Sequence, residues 1–134
     1  MSPINWNRGV LPNKVVLVVD DDPDVRELIA RMLTRAGVRV QTAANGHQAL
    51  RQALKKRPSL VLLDLGLPGL AGEAVAQRLR SAYGEAVPII LVSAADDVDH
   101  AARRVGAHSY LSKPFEPDEV LSLVQDVLEK EVDG

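Results

Sequence analysis

The chain has 134 residues, 46% of them hydrophobic and 25% charged, with a formal net charge of −2 and no cysteine. That length suits one domain with one core, the charge balance carries no nucleic-acid footprint, and the missing cysteines exclude disulfides, thiolate zinc sites and cysteine nucleophiles. The opening segment MSPINWNRGVLPN holds neither a basic leader nor an apolar run, and nothing approaches the ~20 apolar residues of a membrane helix, which points to a cytoplasmic chain without membrane insertion.

Residues 1–13 read as a flexible leader, with Trp6 a tail residue in it. KVVLVVD over 14–20 is then a continuous apolar run of strand length that ends in charge. From 23 to 37, Val25, Leu28, Ile29, Met32 and Leu33 fall at i, i+3, i+4, i+7 and i+8, the stripe of an amphipathic helix. Asp22 suits its N-cap, Pro23 its first position and Gly37 its stop. VRVQTA over 38–43 alternates apolar and polar residues, as a strand solvated on one face does. A second helix at about 46–57 carries Ala49, Leu50, Ala53 and Leu54 and ends at Pro58, and SLVLLD over 59–64 is another buried strand. A third helix at about 72–83 uses Val75, Ala76 and Leu79, followed by the buried strand VPIILVS over 87–93. A short helix at about 97–105, a brief strand HSYL at 108–111 and a last helix at 117–130 complete five strand–helix units.

Parallel strands need helical crossovers, so this alternation calls for a parallel sheet with helices on both faces. The strands starting at Lys14, Ser59 and Val87 are apolar throughout and belong in the middle; the alternating strand at Val38 and the short one at His108 fit the edges. With right-handed crossovers the expected fold is α/β, a flavodoxin-like (βα)5 sandwich with a five-stranded parallel sheet in the order 2-1-3-4-5. Ligands in such sheets bind at the carboxyl ends of the strands, beside the switch between strands one and three.

Asp20, Asp21 and Asp22 end the first strand and Asp64 ends the third, so four carboxylates converge on one rim. Two like charges ~4 Å apart at an effective dielectric near 20 repel by about 4 kcal/mol. A cation must therefore be close, and the sequence offers Lys113, just past the fifth strand, or a divalent metal. Carboxylates without histidine or cysteine suit a hard, oxygen-loving ion such as Mg²⁺. Asp22 reads as a helix cap and no more.

Four blocks, VVLVVDDDPDVREL, LLDLGLPGLAG, ILVSA and GAHSYLSKPF, stand in order at the ends of strands one, three, four and five. Together they resemble the receiver domain of bacterial two-component response regulators, over residues 14–131, with no output domain expected in this chain. The resemblance implies that Asp64 is the phosphoacceptor, taking a phosphoryl group from a histidine kinase or histidine phosphotransfer protein. It implies that Asp21 binds Mg²⁺ directly, Asp20 mainly through water, and that Asp64 and the carbonyl of Gly66 complete the metal ligands. Ser93 and Lys113 match the family's catalytic Ser/Thr and lysine, Ser93 and Tyr110 its switch pair, and the Lys113–Pro114 bond is cis in similar proteins. Output passes to a downstream effector protein, without direct contact to nucleic acid.

Physical chemistry supports the same roles. A carboxylate attacking phosphorus makes an acyl phosphate, a reaction of positioning and charge neutralisation. Mg²⁺ and Lys113 would neutralise, and the Ser93 hydroxyl would donate a hydrogen bond. This makes the chain a signalling switch with self-catalysed phosphoryl transfer and hydrolysis rather than a metabolic enzyme. Two alternatives stay open: a metal-dependent phosphohydrolase with an aspartyl-phosphate intermediate, and a receiver-like scaffold that is never phosphorylated. GLPGLAG lacks the Lys-Ser/Thr of a P-loop and reads as a loop leaving room around Asp64. His47, His100 and His108 have no metal-ligand spacing, and the arginine-rich helix faces read as solvated, the first of them bordering the site where a kinase could dock.

Overall fold

The computed structural model describes residues 14–94 and 98–133. The leader over 1–13, with Trp6, lies outside them. Five strands, β1 (Val15–Val19), β2 (Arg39–Ala43), β3 (Leu60–Asp64), β4 (Ile89–Ser93) and β5 (Ser109–Ser112), form one sheet of order β2-β1-β3-β4-β5. Every pairing is parallel. Five α-helices connect and close them: α1 (Pro23–Arg35), α2 (Gly46–Lys55), α3 (Gly72–Tyr83), α4 (Val98–Val105) and α5 (Pro117–Asp133), with a 3-10 turn at Gly84–Ala86.

Alternation along the strands divides the core in two. Leu17, Val19, Val61, Leu63 and Leu91 point to one face and pack with α2, α3 and α4; Val16, Val18, Leu60, Leu62, Ile90 and Val92 point to the other and pack with α1 and α5. Strands β3 and β4 are buried along their whole length, which is why they read as unbroken apolar runs. Each fully buried Leu, Ile or Val stabilises the fold by about 1.5–3 kcal/mol, so the central strands hold the rim rigidly.

The helix ends follow local chemistry. Asp22 caps α1, its carboxylate accepting from the N–H groups of Asp24 and Val25, with Pro23 as the first helical residue. Gly37, at φ 90°, turns the chain out of α1. Asn45 caps α2 by accepting from Gln48 N–H at 2.9 Å, while Gln48 accepts from Ala44 N–H at 2.8 Å. Two stripe residues depart from the expected pattern: Leu28 and Leu54 are exposed, 47% and 55% respectively. Each sits at the solvent margin of its helix, where Ile29 and Leu33 on α1 and Ala49, Leu50 and Ala53 on α2 already fill the sheet contact. Helix α2 ends at Lys55 rather than near 57. Among the described residues no helix is long and apolar enough to cross a membrane.

Candidate active site

Register places the acids. Val19 pairs with Leu63, so Asp20 and Asp64, the next residue on each chain, emerge side by side at the carboxyl ends of β1 and β3. Asp64 pairs with Val92 on its other side, and Ser93 follows at the end of β4. Carboxylate oxygens of Asp20, Asp21 and Asp64 lie within 4.8 Å of one another. Asp20 and Asp64 are buried, at 2% and 6% exposure, whereas Asp21 faces solvent. The rim is thus open at Asp21 and closed beneath it.

Lys113 supplies the expected cation. Its backbone N–H donates to the Ser93 carbonyl at 2.9 Å, which ties the residue to the end of β4. From there its ammonium reaches Asp20 Oδ2 at 3.0 Å and Asp64 Oδ2 at 3.5 Å. The Lys113–Pro114 bond is cis, as the sequence resemblance implies. The other carboxylate oxygens are held by backbone donors: Asp22 N–H to Asp20 Oδ1 at 2.9 Å and Gly66 N–H to Asp64 Oδ1 at 3.1 Å. Arg26, one turn into α1, donates to the Asp20 carbonyl at 2.8 Å.

These surroundings shift two groups. Burial pushes the Asp64 carboxyl above its ordinary 3.8, and the neighbouring Asp20 charge adds to the rise, against the Gly66 N–H and Lys113, which lower it. Burial acts to lower Lys113, yet its contacts with Asp20 and Asp64 outweigh that and hold the ammonium above its ordinary 10.5. Asp64 is therefore a carboxylate whose charge is costly and which gains from any added cation. Lys113 stays charged at every physiological pH.

Of the residues singled out from the sequence, Asp20, Asp21, Asp64 and Lys113 come together at the rim, and Ser93 ends the adjoining strand. Gly66 meets Asp64 through its N–H. Tyr110 stands apart, 46% exposed on β5 opposite Leu91, two residues short of the rim. His47, His100 and His108 are exposed. Two contributors escaped the sequence reading. Arg26 is one; its signal is an arginine one helical turn after a cap that stands on the rim. Gly72 is the other: a Cβ there would lie 2.6 Å from the Asp64 carbonyl oxygen and 2.8 Å from Leu65 Cα. The first residue of α3 thus rests directly on the backbone that carries Asp64.

Residues 16–125 match the family model of the response regulator receiver domain. The chain belongs to that family. Among curated proteins, this receiver is 38% identical over 120 residues to the phosphate regulon transcriptional regulatory protein PhoB of Pseudomonas aeruginosa, covering 87% of this chain and 52% of that protein. It is 41% identical over 117 residues to the transcriptional regulatory protein PrrA of Mycobacterium tuberculosis, covering 86% of this chain and 50% of the relative. The chain therefore spans about half the length of these relatives. Among solved structures, the chemotaxis response regulator CheY4 of Vibrio cholerae superposes with a TM-score of 0.79 at 33% identity, covering 86% of this chain and 98% of that one. A putative response regulator from Chloroflexus aurantiacus gives 0.81 at 34% identity, covering 87% and 98%. Sheet order and helix placement are thus those of a receiver domain of two-component response regulators.

Proposed function

We propose that this receiver accepts a phosphoryl group on Asp64 from the phosphohistidine of a histidine kinase or histidine phosphotransfer protein, and that the phosphorylated form changes its affinity for a downstream effector protein. The observation that carries the reading is Lys113 bridging the two buried carboxylates, 3.0 Å from Asp20 and 3.5 Å from Asp64. In the transfer an Asp64 oxygen forms a bond to phosphorus while the phosphorus–nitrogen bond of the donor breaks and its electron pair returns to the imidazole. Lys113 then has a phosphoryl oxygen to neutralise beside Asp64, and the Ser93 hydroxyl, at the end of the next strand, is the donor for another. Displacement of Ser93 and Tyr110 carries the change toward β5.

The donor set fits Mg²⁺. Three carboxylates with ligand oxygens within 4.8 Å of one another, with no histidine or cysteine, form a site for a hard cation, open to solvent at Asp21. Asp21, Asp64 and the Gly66 carbonyl would hold the ion, with Asp20 acting through water. When bound, it supplies the charge that neutralises the transferring phosphoryl group. In this reading the receiver works in the cytoplasm and meets proteins rather than nucleic acid or membrane.

Incubation with Mg²⁺ and acetyl phosphate, followed by intact-mass and peptide mass spectrometry, tests the assignment. One phosphoryl adduct on Asp64, abolished by Asp64→Asn, is expected. Multiple turnover of phosphoesters would instead favour a phosphohydrolase, and no adduct at all would favour a scaffold.

A further inference from the structure

Between Glu27 and Asp64 the chain contains no acidic residue and seven basic ones, Arg31, Arg35, Arg39, Arg51, Lys55, Lys56 and Arg57. The remainder of the chain then carries nine basic residues against 18 acidic ones, so the near-neutral total hides a strong asymmetry. All seven are exposed. Among the described residues none of them takes part in an ion pair, since those involve Arg80, Arg103, Arg104 and Lys113.

The fold brings two of these charges, Arg39 and Lys56, to one groove at the edge of the sheet. Helix α1 and helix α2 cover opposite faces but both pack on the edge strand β2. Thr34 in the last turn of α1, Gly37 just after it, Arg39 and Gln41 on β2, and Lys56 after α2 line one open groove of about 480 Å³. The neighbouring outward face of α2 presents His47, Arg51, Leu54 and Lys55 at i, i+4, i+7 and i+8, all exposed. Arg35 and Lys55 sit in last helical turns, where the dipole accounts for them. The dipole gives no reason for Arg31, Arg39, Arg51 or Arg57.

From this we infer that the α2 face and the β2 edge form a docking surface for an acidic, amphipathic protein segment, distinct from the phosphoacceptor rim. Charge complementarity fixes the sign of the partner. Leu54 fixes its class: an apolar side chain 55% exposed amid unpaired cations has nothing to gain from phosphates, but it seats an apolar residue of a peptide whose carboxylates meet Arg51, Lys55 and Lys56. The stretch also holds no Phe, Tyr or Trp on which nucleic-acid bases could stack. The upper part of the β2 edge is already covered, because Gln52 donates to the Thr42 carbonyl at 2.9 Å and Gln48 accepts from Ala44 N–H. The lower part, at Arg39 and Gln41, opens into the groove. Docking here leaves the rim free, since the groove lies at the opposite end of the strands from Asp64.

Nuclear magnetic resonance titration of the full chain tests the inference. The probes are a synthetic helix of about 15 residues with glutamates on one face and leucines on the other, the same peptide with its leucines replaced by serine, and a short DNA duplex. The leucine-containing peptide should shift amides of residues 39–41 and 51–57 and leave those of Asp64 and Lys113 in place. Arg51→Glu with Lys55→Glu should weaken binding at least tenfold, and Leu54→Ser about fivefold, while acetyl phosphate labelling of each variant stays as in the parent. Shifts elsewhere on the surface, no shifts, equal binding of the serine peptide, or DNA bound as tightly as the leucine peptide would each overturn it.

Discussion

Replacing Lys113 with methionine keeps the unbranched stem, one atom shorter, and removes its charge, leaving two buried carboxylates facing each other. Their oxygens lie within 4.8 Å, a repulsion of about 3–4 kcal/mol at an effective dielectric near 20. Loss of one partner from a buried ion pair typically costs about 3–5 kcal/mol. Lys113 keeps 23% of its side chain exposed, and Asp64, already raised by burial, can escape by taking up a proton, so about 2–3 kcal/mol is expected. For a domain of this size that is a fall in Tm of roughly 8–15 °C. Thermal unfolding followed by circular dichroism in EDTA at neutral pH measures it. Two controls follow from the same cause. The gap to the parent should narrow as pH falls and Asp64, raised above 3.8, takes up its proton, and should narrow again in saturating Mg²⁺. A Lys113→Met protein as stable as the parent in EDTA at neutral pH would refute Lys113 as the counter-ion of the rim.

Saturating Mg²⁺ should raise the melting temperature, with a gain following RT ln(1 + [L]/Kd), and Asp21→Asn should remove most of that gain in differential scanning calorimetry. Asp64 has a raised pKa, so its protonation stabilises the folded state: metal-free stability should increase as pH falls through that raised value toward 3.8 and be lost as pH rises back through it. Asp64→Asn should flatten this part of the pH profile and raise the metal-free Tm at neutral pH; an unchanged profile would remove Asp64 as its source. The raised Lys113 works in the opposite range, its stabilisation complete below 10.5 and lost as pH climbs past its folded value. Gly72→Ala should destabilise by about 1–3 kcal/mol in urea unfolding despite alanine's better helix propensity, because the added Cβ meets backbone rather than a movable side chain. Among the described residues α4 has eight and is the shortest of the five α-helices, which makes the face built from α4, β5 and α5 small for a symmetric contact; light scattering should show a monomer with and without beryllofluoride, and a dimer through that face would contradict this.

How far the sequence could be read depended on the range of the forces involved. Strand order followed from composition, because only strands buried on both faces tolerate apolar runs like LVLLD and IILVS. Helix starts followed from local hydrogen bonds, as at Asp22. What the sequence could not give was where each apolar stripe ends: Leu28 and Leu54 have the right spacing, but whether a stripe residue reaches the sheet depends on how the helix is rotated against it. Leu54 turned outward is also what leaves an apolar residue among the unpaired cations of α2.

The site shows the same division. The convergence of Asp20 and Asp64 was readable because parallel register carries equivalent strand ends to one rim. The need for a cation was readable from charge alone, and the choice between lysine and metal was not. In the fold the two take different places. Lys113 occupies the buried side of the cluster, against Asp20 Oδ2 and Asp64 Oδ2, while Asp21 faces solvent. A fixed ammonium alone leaves three carboxylates against one positive charge. A divalent ion entering from the Asp21 side would bring the site to neutrality, and a dianionic phosphoryl group on Asp64 would then draw Lys113 and the ion toward itself. In the proposed reaction, the contacts that hold Asp20 and Asp64 are therefore the ones that would have to loosen once Asp64 carries the phosphoryl group. That loosening would reach two helices, α3 at Gly72, seated on the Asp64 carbonyl, and α1 at its cap Asp22, whose N–H holds Asp20.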